Sequence, residues 1–286
     1  MLTDKSEYIL QSLNTSVFSR PEAIMHNISE VERAVGGNDE IAVPHYIAVG
    51  GRNYIEVRGG IWRMYDFVQS RDVDRSEKCR LTGRSFGTFI RLTSGCRLAD
   101  SGGNIHDYGR YLSRLQSYCE SAGERIDTFE QLGTELETIF GDGLTVRNVH
   151  GDAKSDNIVF ADRCTVIDLD TVCSGYAALD YGDMIRSLCT DSSELPLAAV
   201  LTKGFAEGLH GILDSGEVRS LYYGILYVTA ELAMRYLIDA LSGEGYFRGK
   251  SSEDCLSRAD SLMGQLSLFT SHRRELTQMI RESFGE

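Results

Sequence analysis

The stretch that decides the fold is HGDAKSDNIVFADRCTVIDLD at residues 150–170. Within it, the runs NIVF (157–160) and CTVIDL (164–169) are short and rich in apolar and β-branched residues, and a polar ADR turn separates them. We therefore predict two strands joined by a tight turn. Such a hairpin brings Asn157 and Asp168 to neighbouring positions.

The polar residues of this stretch are the types that phosphoryl transfer needs, because that reaction depends on positioning and charge stabilisation more than on covalent help from the protein. Asp152 would accept the proton of an attacking hydroxyl group. Lys154 could reach the transferring phosphoryl group as a point charge. Asn157 and Asp168 would hold Mg²⁺ on a nucleotide, whose phosphates complete the octahedron. His150 is predicted to be structural, with its ring hydrogen-bonded to the backbone.

These residues also have a plainer interpretation, since Asp-rich turns are common in loops and a His-Gly-Asp triplet can arise by chance. The joint pattern is more demanding. It requires the triplet, an Asn five residues after its Asp, two apolar runs with a turn between them, and an Asp at the end of the second run. This combination favours the catalytic interpretation.

The block resembles the aminoglycoside phosphotransferase and choline kinase superfamily, which has the protein-kinase-like fold. Further stretches resemble its N-acetylhexosamine 1-kinase branch: VIDLDTV (166–172), LDYGDMIR (179–186), ELAMRYLID (231–239), YILQ (8–11), Asn14, VF (17–18) and WRMYDF (62–67). The resemblance therefore covers nearly the whole chain. It implies an α+β fold with two lobes, and a kinase that uses ATP and Mg²⁺. Enzymes of that branch phosphorylate the anomeric hydroxyl of N-acetylglucosamine or N-acetylgalactosamine.

The resemblance also implies where the nucleotide binds. A hinge segment would hold adenine through its backbone, and it consists of Tyr65, Asp66, Phe67 and Val68. Gln11, or alternatively Ser12, occupies the strand position at which kinase-like folds place a phosphate-pairing lysine. Neither residue is a cation.

The resemblance also suggests candidate acceptor contacts: Asp170, Arg186, Arg235 and Tyr246. Arg186 could equally face a phosphate or a sugar, or pair with an Asp. An aromatic residue such as Tyr246 at a helix edge is more often a packing residue. Asp180 and Asp183, near the start of a helix, could cap its N–H groups and brace the catalytic loop.

Around this centre, composition changes near Val68, from strand-like runs to helical ones. We predict a strand over residues 7–13, a helix from a Ser19 cap and Pro21 to about residue 35, and strands over 46–49, 54–57 and 61–68. Helices are predicted over residues 76–93, 107–119, 126–140, 196–209, 216–241, 253–269 and 272–284. Residues 1–68 would be a nucleotide-binding lobe, and residues 69–286 a helical lobe with the catalytic loop and the acceptor site.

The first predicted helix carries Glu30 and Glu32. Kinase-like folds place an acidic ion-pair partner at this point, and either residue could fill that role. Both could instead belong to a solvated helix face.

One departure from the family pattern concerns the start of the chain. Family members carry two strands and a Gly-rich turn, which covers the phosphates, ahead of the segment that matches residues 7–13. Here that segment almost directly follows Met1, so we expect a shortened lobe. The start could be misassigned, nucleotide binding could be weaker and depend on Lys154 and Mg²⁺, or the protein could bind without catalysis. The joint presence of Asp152, Asn157 and Asp168 argues for an active enzyme.

Bulk properties narrow the function further. The chain has 286 residues and a formal net charge of −13, which argues against nonspecific binding of nucleic acid. No signal peptide is recognisable, and charges at Glu231, Arg235 and Asp239 interrupt the most apolar long stretch, so no membrane span is expected. Seven cysteines without a Cys-x-x-Cys pair suit reduced thiols in the cytoplasm and no zinc site. A monomer or a homodimer is expected.

The function predicted first is therefore an ATP- and Mg²⁺-dependent phosphotransferase acting on an N-acetylhexosamine or a related sugar. The alternative acceptors are an aminoglycoside, another hydroxylated antibiotic, or an amino alcohol such as choline. A nucleotide-binding pseudokinase is the non-enzymatic alternative. A protein kinase is disfavoured, because no recognisable activation segment follows Asp168.

Overall fold

Short strands dominate the first part of the chain, and long helices dominate the last part. The structure, a computed structural model, describes residues 7–14, 20–102, 105–141 and 143–286. The strands are β1 (Tyr8–Ser12), β2 (Ile41–Ala42), β3 (Ile55–Val57), β4 (Gly60–Asp66), β5 (Arg147–Val149), β6 (Ile158–Val159), β7 (Cys164–Val166) and β8 (Cys173–Gly175). The helices are α1 (Pro21–Val35), α2 (Arg75–Thr93), α3 (Tyr108–Gln116), α4 (Cys119–Ala122), α5 (Arg125–Ile139), α6 (Ala177–Leu188), α7 (Leu195–Leu209), α8 (Ser215–Ser242), α9 (Ser252–Ser271) and α10 (Arg273–Phe284). This is the predicted α+β architecture.

Three antiparallel strands form the first sheet, in the order β1-β4-β3. The predicted strand over 46–49 is wrong, because that run makes only isolated bridges, Tyr46 to Tyr65 and Val49 to Arg52. It turns back at Gly50 and Gly51, which both have positive φ. The strand that pairs with β4 in its place is β1, and its register sets Gln11 opposite Arg63 and Ile9 opposite Tyr65. Directly opposite residues share a face, so these side chains point the same way.

Helix α1 begins and ends close to the predicted residues. Arg20 occupies its N-cap position without a side-chain cap bond, and Pro21 begins the helix. The predicted cap is therefore corrected, because the chain enters the helix at Pro21, one residue later than a Ser19 cap requires; Ser19 itself lies outside the described residues. The helix ends at Gly36, as expected.

The two acidic candidates on α1 have local partners. Glu30 pairs with Arg33 on the next turn, and Glu32 contacts His45. Arg33 and His45 are both largely solvent-exposed. Both glutamates are partly buried, with side-chain exposures of 15% for Glu30 and 26% for Glu32, and each is paired locally.

The predicted hairpin is present, with β6 and β7 antiparallel and Ile158 opposite Val166. Strand β2 extends it by pairing in parallel with β7, and β5 pairs with β8. Neither of these additions was predicted. Segments of two or three residues are too short to show a period in sequence, and their pairing depends on residues far away in the chain.

The chain divides into two compact units. The first contains residues 1–105, 146–177 and 200–212, and the second contains residues 106–145, 178–199 and 213–286. All three sheets belong to the first unit. The lobe boundary near Val68 stays a prediction.

Within the second unit, α6 and α8 pack with their main chains in contact. A Cβ atom on Gly224 would lie 1.9 Å from the carbonyl oxygen of Ala178, and one on Gly182 would lie 2.2 Å from the carbonyl oxygen of Gly224. Only glycine fits at these two positions. Sequence reasoning missed this contact, because a glycine inside a helical pattern reads simply as a weak helix former.

Helix α8 contains the most apolar long stretch of the sequence, and many of its side chains are buried. It begins with a capping box between Asp214 and Glu217, and it ends at Gly243 in the left-handed region. Glu231 and Asp239 are buried in it. Among the described residues, no helix combines the length and the apolar composition needed to cross a membrane.

A buried ion pair links the start of the second unit to α8. His106 Nδ1 lies 3.1 Å from Glu231 Oε2, and both side chains are at most 5% exposed. Burial lowers the pKa of His106, but Glu231, with smaller contributions from Asp183 and Asp180, raises it above its usual value. The protonated pair therefore stabilises the fold at pH below the unfolded value of about 6.5. This contribution is lost as the pH rises through the folded pKa.

We expect His106→Gln to destabilise the protein more at pH 6 than at pH 9. At the acidic end the variant leaves Glu231 buried without its cation, which costs about 3–5 kcal/mol for a fully buried pair. Urea denaturation at both pH values measures the difference. The exposed His26→Gln change is the control and should show a small effect at both. Equal destabilisation by His106→Gln at the two pH values would contradict a protonated pair.

Candidate active site

The catalytic loop begins where β5 ends, and His150 fixes its shape. His150 is fully buried, with the rings of Phe86 and Phe89 at centroid distances of 5.2 and 5.8 Å. Its Nε2 atom donates to the Ile167 carbonyl at 2.9 Å, so Nδ1 carries no proton and accepts the Asp152 N–H at 3.3 Å. The predicted structural role of His150 is confirmed.

Asp152 has two side-chain partners. Lys154 Nζ lies 2.6 Å from its Oδ2 atom, and Asn157 Nδ2 donates to the same oxygen at 3.0 Å. Burial raises the pKa of Asp152, but Lys154 and the Asn157 amide outweigh it, so the net pKa is below the usual value. The carboxylate is therefore ionised and able to accept a proton. Lys154 neutralises it in this structure, and contact between Lys154 and a phosphoryl group stays a prediction.

The hairpin brings Asn157 and Asp168 to the wall of one cavity. Both amide N–H groups of Asn157 donate to Asp152, because Nδ2 also donates to the Asp152 carbonyl at 2.7 Å. The Asn157 Oδ1 atom remains available as an oxygen ligand. Asp168 has φ 61° and ψ 54°, a left-handed conformation that Asp tolerates better than most residues. Its side chain is exposed at the cavity.

The electrostatics at Asp168 favour a cation. Partial burial disfavours the charged carboxylate and raises the pKa of Asp168. The neighbouring carboxylates of Asp170 and Asp152 raise this pKa further. An excess of negative charge is therefore concentrated at the Asp168 carboxylate, on the cavity that Asn157 also lines.

The cavity has a volume of about 280 Å³ and lies entirely within the first unit. Its wall includes all five predicted nucleotide contacts and both predicted metal ligands: Gln11, Tyr65, Asp66, Phe67, Val68, Asn157 and Asp168. Apolar side chains complete it, among them Ile9, Val159 and Ile167. Polar and apolar lining of this kind is typical of small-molecule sites.

The sequence analysis did not predict that a buried arginine side chain, Arg63, lines this cavity. Arg63, on β4, is 2% exposed, and its Nη1 and Nη2 atoms donate to the two carboxylate oxygens of Asp170. Asp170, a predicted acceptor contact, is thus paired with Arg63 in the structure. The available signal was strand alternation, because Ile61, Arg63 and Tyr65 all lie on the inward face of β4.

Arg186, another predicted acceptor contact, pairs with an aspartate, which was the alternative prediction. Its Nη2 and Nε atoms donate to Asp183 Oδ1 at 2.7 and 2.9 Å, and both side chains are largely buried. Asp183 lies in the second turn of α6, too far along the helix to cap its first N–H groups. Asp180 lies in the first turn and is fully buried.

The other two predicted acceptor contacts meet in the second unit. Arg235 Nη2 donates to the Tyr246 hydroxyl at 2.6 Å, and the guanidinium lies 5.2–5.9 Å from the ring centroids of Tyr246, Tyr111 and Phe247. Asp239 fixes the loop by accepting the N–H groups of Tyr246 and Phe247. Tyr111, Arg235, Asp239 and Tyr246 line a second cavity of about 250 Å³. Tyr111 was not predicted, because more than a hundred residues separate it from Arg235.

A carboxylate that can take up a proton, held beside an amide and a carboxylate suited to a cation, is a combination that phosphoryl transfer to a hydroxyl group can use. The chain belongs to the phosphotransferase enzyme family, whose model matches residues 2–213. It is therefore an enzyme, a small-molecule kinase whose acceptor is an alcohol group, within the aminoglycoside phosphotransferase and choline kinase superfamily.

Solved structures agree with this assignment of the fold. A microcompartment-associated aminopropanol kinase has a TM-score of 0.69 at 14% identity, covering 95% of this chain and 87% of that one. The amicoumacin kinase hAmiN, solved with AMP-PNP, Ca²⁺ and Ami, gives 0.66 at 14% identity, with 92% and 82% covered. A choline/ethanolamine kinase family protein from Mesorhizobium loti gives 0.63 at 12% identity, with 98% and 87% covered. The chain thus has the predicted protein-kinase-like fold.

Proposed function

We propose that the enzyme transfers a phosphoryl group from ATP, with Mg²⁺, to a hydroxyl group of an N-acetylhexosamine or a related sugar. The observation that carries this proposal is the meeting of Asp152, Asn157 and Asp168 beside one cavity of the first unit. Three side chains with separate chemical tasks lie within one short stretch of chain.

The cavity suits a nucleotide. Residues 65–68 form one wall, and Ile9 and Val159 supply apolar surface for a base. Among the described residues, the N–H groups of Asp66 and Phe67 already donate to the carbonyls of His45 and Glu7. The Val68 N–H is therefore the candidate main-chain donor to adenine.

The donor set fits a magnesium ion that is held mainly by nucleotide phosphates. Asn157 and Asp168 offer oxygen ligands, and Mg²⁺ is usually bound by one or two carboxylates together with phosphates and water. Within the described ranges, no group of three or more His, Cys, Asp and Glu side chains could hold a metal alone. The raised pKa of Asp168 shows negative charge that a divalent cation would offset. When bound, the ion would neutralise charge on the phosphates.

Asp152 would act as the base. Its lowered pKa keeps it ionised, and the two donors at Oδ2 leave Oδ1 for the hydroxyl proton of the acceptor. Lys154 would balance the Asp152 charge before transfer and could turn towards the phosphoryl group.

The second cavity supports the choice of a sugar. Three arginines and two acidic residues line it: Arg110, Arg114, Arg235, Asp239 and Glu244. This excess of positive charge disfavours cationic acceptors such as an aminoglycoside or choline. Rings of Tyr111 and Tyr246 offer flat surfaces beside fixed polar groups. We propose that Arg235 and Tyr246 contact the acceptor.

ADP release by the purified protein, with ATP, Mg²⁺ and a panel of acceptors, tests this function. We expect turnover with N-acetylglucosamine or N-acetylgalactosamine, and ³¹P NMR should place the phosphate on the anomeric carbon. Arg235→Gln should raise KM for the sugar at least about tenfold, through loss of charged hydrogen bonds, without changing KM for ATP. The exposed Arg274→Gln change is the matched control.

Two results would contradict the sugar. Turnover confined to an aminoglycoside or an amino alcohol would move the acceptor to another class. Nucleotide binding without turnover of any acceptor would favour the pseudokinase alternative.

A further inference from the structure

A buried polar network ties strand β1 to the turn that follows Asp168. Arg63 Nη1 and Nη2 hold both oxygens of Asp170, with 3.0 Å between Nη2 and Oδ2. Arg63 Nε and Nη2 also donate to Gln11 Oε1, at 3.0 and 2.8 Å. We call Arg63, Asp170 and Gln11 the Arg63 network.

Arg63 has no N–H group left for a ligand. Its five N–H groups are assigned to Gln11, to Asp170 and, at 3.9 Å from Nη1, to the sulfur of Met25. Its guanidinium also lies over the ring of Tyr46, at 5.6 Å. Although Arg63 lines the cavity, it could bind a phosphate only by giving up one of these partners.

The same contacts decide which way Gln11 faces. Oε1 accepts from Arg63 twice and from the Tyr65 hydroxyl at 3.4 Å. Exchanging the amide oxygen and nitrogen would set two N–H groups against the guanidinium, so chemistry fixes the orientation. What Gln11 has left is Nε2, a donor without charge.

We propose that Gln11 Nε2 donates to a phosphate oxygen of the nucleotide, and that Arg63 is the positioning residue which holds the amide in this orientation. This inference depends on the proposed function, because it assigns the nucleotide to the cavity lined by Gln11 and Asp168. The enzyme thus uses a fixed neutral donor at the strand position where kinase-like folds place a lysine.

Asp170 connects the Arg63 network to the turn that follows Asp168. It lies in the turn Leu169–Thr171, directly after Asp168, and it is 7% exposed. Buried charges are tolerated when they are paired and hydrogen-bonded, as Asp170 and Arg63 are. The ion pair therefore holds the donor on β1 and the carboxylate of Asp168 at a constant spacing.

Titration calorimetry without divalent metal tests the donor, with ADP and adenosine as ligands. Without a metal ion, Asp168 cannot contribute to ADP affinity through that ion, so the titration measures the contribution of Gln11. We expect Gln11→Ala to weaken ADP about tenfold, the loss typical of a hydrogen bond to a charged group, and to leave adenosine unchanged. Gln11→Glu should weaken ADP further, because a carboxylate oxygen replaces the donor. Gln131→Ala, at an exposed site in α5, is the control.

Arg63→Lys tests the positioning role. A lysine cannot hold Asp170 and Gln11 in a planar fork, so the Gln11 amide is released. ADP should weaken about as much as in Gln11→Ala, and the double variant should be no weaker than Gln11→Ala alone. A purely structural Arg63 would lower the melting temperature without separating ADP from adenosine.

Unchanged ADP affinity in Gln11→Ala would overturn the inference, and so would additive effects in the double variant. Failure of the wild type to bind either ligand is a different outcome. It would overturn the proposed nucleotide site, and this inference with it.

Discussion

Asp152→Asn is expected to lower kcat by about 10²–10⁴-fold, the range that a general base contributes. The amide keeps the shape of the side chain but cannot take up the acceptor proton. Nucleotide affinity should change little, because Asp152 is not among the residues that line the nucleotide cavity. Initial rates with the sugar acceptor, together with ADP titration, measure both quantities.

Asp156→Asn is the matched control for this change. Asp156 lies in the same loop but is exposed, so its removal should leave kcat near the wild-type value. Retention of more than a tenth of the wild-type kcat in Asp152→Asn would show that another group removes the proton.

Asp168→Asn is expected to lower kcat/KM for ATP by at least about 10²-fold, because several kcal/mol of charge stabilisation from the bound ion are lost. Mg²⁺ should no longer tighten ADP in a titration. The stability of Asp168→Asn, in contrast, should not fall. The raised pKa of Asp168 means that its ionised form is disfavoured in the fold, so removing the charge should maintain or raise the melting temperature at neutral pH.

Asp162→Asn, in the exposed turn of the same hairpin, is the control and should alter neither property. A variant at Asp168 that is less stable and still responds to Mg²⁺ would mean that the carboxylate has a structural role. Loss of metal response together with unchanged or higher stability identifies a residue kept for function at some cost to the fold.

Long helices were the most predictable part of the molecule. Helices α8, α9 and α10 match their predicted ranges within two residues, because each repeats its apolar pattern over several turns. Strands β2, β5 and β8 were missed because, unlike the equally short β6 and β7, they pair with no neighbour across a recognisable turn. The run 46–49 looked like a strand but pairs only through bridges, which shows neighbouring strands overriding local preference.

The sequence by itself determined the hairpin, and with it the meeting of Asn157 and Asp168. Eleven positions separate these residues, and the turn between them leaves the chain little choice. Only the tertiary structure decided the partners of the buried charges. Arg63 and Asp170, for example, are 107 residues apart. A charge removed from water must find a counter-charge among the groups buried with it, and packing of the whole chain selects those groups.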